Sequence, residues 1–76
     1  MEWAKVVGEN VRRLRKDRGF TQEKLAFDAA LDLTYLGGIE RGRRNPSVLV
    51  LGRLADVLGV HPRDLLDDHA ISEGQR

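Results

Sequence analysis

The chain contains no cysteine, which excludes disulfide cross-links and thiolate metal sites, so its stability must come from packing. Its two histidines, His61 and His69, stand eight residues apart and offer no zinc-type cluster. Long hydrophobic runs are also missing, because charge or glycine breaks each apolar stretch within a few residues. No signal peptide or membrane span is therefore read, and a cytoplasmic location is expected. At 76 residues there is room for one small core, but not for a core and a deep substrate cleft. No nucleophile–base pairing is legible, and Asp67-Asp68 reads as a solvated helix end. An enzyme is thus not expected, nor is a cofactor, metal or small-molecule ligand.

What the chain does have is charge of both signs, unevenly placed. Residues 1–44 hold ten Lys/Arg against seven Asp/Glu, net +3, and residues 45–76 hold three against five, net −2. That division suits one face for an anionic partner and another for something else, or simply a solvated surface.

Apolar spacing divides the chain into short helices. Trp3, Val7, Val11 and Leu14 recur at helical intervals with charge between them, predicting an amphipathic helix over 3–18 that stops at Gly19. Thr21 caps a second helix, with Leu25, Ala26 and Ala29 inward and Phe27 off the stripe, as a rim contact or part of a partner surface. Only Ala30, Leu31 and Asp32 precede a third helix, so the two must cross steeply. Asp32 caps this third helix, Leu36 and Ile39 share its stripe, and Gly42 offers a left-handed stop amid Arg41, Arg43, Arg44 and Asn45. Ser47 caps a fourth helix and His61-Pro62 open a fifth, after which periodicity is lost. The expected core is Val7, Val11, Leu14, Leu25, Ala26, Leu31, Leu36, Ile39, Leu51, Leu54, Ala55 and Leu58. Leu49, Val50, Val57, Leu65 and Leu66 are left over as a surface for a second subunit, or for helix five alone to cover.

The fold expected is all-α: five helices in one domain over 1–68, with a dimerisation part at about 47–68 and a flexible tail over 69–76. The steeply joined pair at about 21–41, followed by basic residues, matches the helix-turn-helix layout of DNA-binding domains. In the helix-turn-helix layout the second helix enters the major groove with its N-terminal side chains toward base edges, here Leu33, Thr34 and Tyr35.

The runs LRKDRGFTQEKLA, LDLTYLGGIERGRRNPS and LGRLADVLGVHPRDLL resemble the helix-turn-helix family of lambda-type phage repressors and XRE-type bacterial regulators, over about residues 8–67. Within it, the TYLGGIERGRRN stretch looks most like the restriction–modification controller proteins, small dimers that regulate a restriction endonuclease gene. The resemblance implies a lambda-repressor-like fold, double-stranded DNA as partner and a homodimer. It implies that Gln22 contacts phosphate and buttresses the recognition helix, and that Thr34 reads a base. Tyr35, Arg41, Arg44 and Asn45 match positions that lie against DNA, while Arg15 and Glu40 match a structural ion pair.

The departures are as informative. Leu33 stands where controller proteins often carry arginine, and it can meet a thymine methyl but not grip guanine bidentately. Gly37 and Gly38 leave the middle of the helix without side chains. Either they let the backbone approach the groove or a neighbouring helix, or the protein relies on DNA shape. A combination is expected: readout concentrated at Thr34 and Tyr35, with Arg43 or Arg44 sensing a phosphate or narrow minor groove, the alternative for each arginine being a solvated helix end. The leading function is a sequence-specific, dimeric transcription regulator acting at a pseudo-palindromic operator. The alternative is an antitoxin-type module whose helix-turn-helix domain mainly captures a protein.

Overall fold

The computed structural model describes residues 1–68; the tail expected over 69–76 lies outside the described residues. The helices are α1 (Trp3–Asp17), α2 (Gln22–Asp28), α3 (Leu33–Glu40) and α4 (Val48–Leu58), followed by a 3-10 helix (Pro62–Leu66), with no strand among the described residues. The expected fifth helix is thus a single tight 3-10 segment, and among the described residues the count of α-helices is four. It starts as the sequence suggests, with Pro62 in its first turn, but His61 and Asp64 add a reciprocal cap. The Arg63 N–H donates to His61 Nδ1 at 3.0 Å and the His61 N–H to Asp64 Oδ2 at 3.0 Å.

Local chemistry explains each helix start. Thr21 Oγ1 accepts from the Lys24 N–H at 3.0 Å, Asp32 Oδ1 from Tyr35 at 3.1 Å and Ser47 Oγ from Val50 at 3.2 Å. Each occupies an otherwise unsatisfied first-turn donor. The four α-helices also end alike, with a left-handed residue whose successor donates its N–H back across the last turn. These bonds run from Phe20 to Arg15 O, Leu31 to Ala26 O, Arg43 to Gly38 O and Val60 to Ala55 O, at 2.8–3.0 Å. Glycine takes the left-handed position at 19, 42 and 59, but Ala30 takes it, at φ 57°, in the turn between α2 and α3. A Cβ there costs about 1–2 kcal/mol. Ala30→Gly should therefore stabilise the domain by about 0.5–1 kcal/mol after the added unfolded-state entropy is subtracted. That is a rise of a few degrees in melting temperature; an unchanged or lower value would contradict the strain.

The core is Val7, Val11, Leu25, Ala26, Leu36, Ile39, Leu54, Ala55 and Leu58, joined by Ala29 and Leu65. Leu14, Leu31 and Leu51 pack on it from the rim, only partly buried. Three expectations need correction. Leu65, assigned above to a dimer interface, is 0% exposed within the single chain, because the 3-10 helix folds against both α1 and α4 and inserts this residue between them. Trp3, expected on the inward stripe, is half exposed, while Val6 and Asn10 are buried in its place. The reason is that α1 packs on α3 along one side and on the 3-10 helix along another, so it needs a broader buried face than a single stripe supplies. Asn10 fills that second face with polar bonds: its Nδ2 donates to Leu65 O at 3.0 Å and Asp67 O at 2.8 Å, and its Oδ1 accepts from Arg13. Phe27 is not a rim contact, since it is almost wholly exposed.

Candidate nucleic-acid interface

Five residues of α3 are buried, Leu36 to Glu40, in a helix of only eight. Leu36 and Ile39 are 0% exposed and anchor it in the core. Its last residue is clamped by charge. Arg15 Nε and Nη2 donate to Glu40 Oε2 and Oε1 at 2.7 and 3.0 Å, a two-pronged pair from α1. The third nitrogen of that guanidinium, Nη1, donates to Phe20 O at 2.8 Å, and Gln22 Nε2 donates to Glu40 Oε1 at 3.0 Å. The network thus ties α1, the turn after it, α2 and the end of α3 into one joint. The Arg15 pKa is raised, chiefly by the hydrogen bond to Glu40, with burial acting in the opposite direction. Gln22 appears in the buttressing role that the resemblance implies.

On the other side of α3, Leu33 and Thr34 are exposed and Tyr35 is half-buried. Beyond the helix, Arg41, Arg43, Arg44 and Asn45 are all exposed. The turn at Gly42 explains their grouping. Gly42 (φ 74°) donates its N–H to Ile39 O at 3.0 Å and Arg43 to Gly38 O at 2.9 Å, which reverses the chain onto the helix it has just left. Phe20, Leu31 and Val60 hold the position equivalent to Arg43 after the other helices, each packed on the core. Only α3 puts a charged residue there, so this helix end is turned to solvent rather than inward.

The middle of α3 is not bare. Gly37 lies under the Arg41 guanidinium, and Gly38 lies under the stem of Arg44; a Cβ on either would meet those side chains at 3.1 and 2.7 Å. Neither glycine faces a neighbouring helix. The Arg44 guanidinium stands over the Tyr35 ring, 5.9 Å from its centre. Nothing in the spacing of the sequence exposes this cover, because it depends on the return of the chain at Gly42. The close approach of α1 was missed as well. Gly8 sits against the carbonyl oxygens of Ile39 and Glu40, and the Lys5 stem sits on Gly42, so α1 meets the end of α3 almost backbone to backbone.

The expected dimer residues divide. Leu49 is 77% exposed and Leu66 44%, with Val48 beside them at 80%, whereas Val50 and Val57 are half-buried against the core. Among the described residues no group of His, Asp and Glu side chains is placed to hold a metal ion, and no helix is long and apolar enough to cross a membrane.

Residues 11–65 match the helix-turn-helix family model, which covers the second half of α1 from Val11, α2, the turn, α3, α4 and most of the 3-10 helix. The chain belongs to the helix-turn-helix family. Among its relatives is the control protein C.BamHI of Bacillus amyloliquefaciens, 46% identical over 61 residues that cover 79% of this chain and 75% of the relative. The fold is similar to that of the restriction–modification controller protein C.AhdI from Aeromonas hydrophila, with a TM-score of 0.79 and 44% identity over 82% of this chain and 94% of that one. It is also similar to the biofilm regulator SinR, solved in complex with DNA, with a TM-score of 0.77 and 35% identity over 80% and 98% of the two chains. Members of this kind make the antitoxin alternative the less favoured reading.

Proposed function

We propose that this helix-turn-helix protein is a sequence-specific, DNA-binding transcriptional regulator that acts in the cytoplasm as a homodimer on a pseudo-palindromic operator, as a restriction–modification controller. The observation that carries the reading is α3 itself. One side is locked into the protein by Leu36, Ile39 and the Arg15–Glu40 pair, and the other holds Thr34 and Tyr35 beside three exposed arginines. A helix held that way can enter a major groove without losing its mounting.

In this reading Leu33, Thr34 and Tyr35 meet base edges, while Gln22, Arg41, Arg43 and Asn45 hold the phosphate backbone and fix the register. The domain spans 1–68, with the helix-turn-helix over about 21–41. The segment 47–68 dimerises through Leu49 and Leu66 with the outer edges of Val50 and Val57, placing two α3 helices on half-sites about one helical turn apart. No catalytic step, cofactor or metal is assigned to the chain.

Selection of sites from random DNA should return an inverted repeat, and sedimentation at micromolar concentration should show a dimer. Affinity should fall steeply with salt as counterions leave the phosphates, and Arg43→Ala should reduce the slope of log K against log salt by about one. Binding indifferent to salt, or to sequence, would contradict the reading.

A further inference from the structure

The glycine pair leaves α3 short of readers: of the side chains toward the groove, only Thr34 and Tyr35 carry polar groups. The geometry of Arg44 supplies another. Its stem crosses α3 at Gly38, where a Cβ would lie 2.7 Å from its Cγ and 3.3 Å from its Nε, and its guanidinium stands over Tyr35. Gly38 follows Tyr35 by three positions and Thr34 by four, so all three occupy one side of the helix. Arg44 therefore does not project off the helix end, but lies back among the side chains aimed at the bases.

We propose that Gly38 is a specificity-positioning residue, whose missing side chain seats Arg44 across the recognition helix so that its guanidinium reads a guanine in the major groove beside the base pairs met by Thr34 and Tyr35. The inference rests on the DNA-binding reading above. Three features support it. The turn at Gly42 brings the chain back over α3, Gly38 leaves open the space that the Arg44 stem crosses, and the Tyr35 ring attracts the planar fork to this seat before DNA arrives. A guanidinium fixed in orientation suits the paired O6 and N7 acceptors of guanine, and loses little freedom on binding them. The arginine reader that Leu33 cannot provide at the start of α3 thus arrives from after its end.

Gly38→Ala separates this role from a structural one. The three atoms nearest the added methyl all belong to the exposed Arg44 side chain, which can leave its seat by rotating into solvent, and alanine favours a helix, so the melting temperature should hold or rise. Site selection with the full-length wild type, Gly38→Ala, Arg44→Ala and the double variant should show both single variants losing the same guanine preference, by about 10-fold or more. The double variant should lose no more than Arg44→Ala alone. Undiminished preference in Gly38→Ala, or a lowered melting temperature, would overturn the seating role. Uniform weakening of all sequences by Arg44→Ala would show a phosphate contact and overturn the guanine assignment. A wild type that selects no site would instead overturn the regulator reading, and this inference with it.

Discussion

Glu40→Ala should destabilise the domain by about 3–5 kcal/mol, the scale seen when one partner of a buried ion pair is removed. Both side chains are nearly enclosed, at 10% exposure for Arg15 and 3% for Glu40, so solvent screening offers little relief. The substitution strands a charge rather than a neutral group. The Arg15 pKa is raised above an already strongly basic value, and a raised pKa brings stability that persists at every pH below the unfolded value. No accessible pH discharges Arg15, so the loss should be the same from mildly acidic to mildly alkaline buffer. It should also release Gln22 and free the end of α3, since both depend on the same carboxylate. A domain of this size holds only several kcal/mol in total, so much of the variant should be unfolded at 37 °C. Arg15→Met with Glu40→Leu should recover most of the loss, because apolar pairs commonly replace buried ion pairs without penalty. Thermal and urea unfolding of the single and double variants measure this directly. A single variant that melts within a degree of the wild type would show the pair to be ornamental.

Gly8→Ala should produce the second large loss, about 2 kcal/mol, the upper end of an overpacking cost less the helix propensity that alanine returns. Its Cβ would strike the Ile39 carbonyl oxygen and lie 2.8 Å from that of Glu40, and both obstacles are backbone that cannot rotate away. Overpacking commonly costs about 1–3 kcal/mol, and here relief requires α1 and α3 to separate; alanine's better helix propensity returns about 1 kcal/mol. Gly52→Ala is the matched control, since it makes the same exchange inside α4 with nothing within 4 Å of the new Cβ. It should be neutral or stabilising. Equal melting temperatures for the two variants would refute the close crossing. Because the displaced segment is the end of α3, Gly8→Ala should also weaken DNA binding at temperatures where it remains folded.

The contrast between these two positions shows which parts of the molecule can be read without coordinates. Helix starts at Thr21, Asp32 and Ser47 and stops at Gly19, Gly42 and Gly59 are written locally, because capping and left-handed turns involve residues a few positions apart. The stop at Ala30 carries no such mark, since alanine is held there against its preference. Most of the core was legible for the same reason, as helical periodicity names one buried stripe per helix. It failed where a helix has two neighbours: Val6 and Asn10 serve the second face of α1, and Leu65 closes that face from 55 residues beyond Asn10.

The sequence by itself determined the helices, their caps, the helix-turn-helix layout and, through its resemblance, the Arg15–Glu40 pair. Tertiary structure alone decided that Leu65 belongs to the core and that Gly8 is a crossing point. It also decided that Gly37 and Gly38 are covered rather than bare. The physical reason is distance along the chain. Hydrophobic spacing and capping act within one or two turns, whereas the reversal at Gly42 and the approach of α1 set the positions of Arg41, Arg44 and Lys5 over glycines that spacing treats as empty.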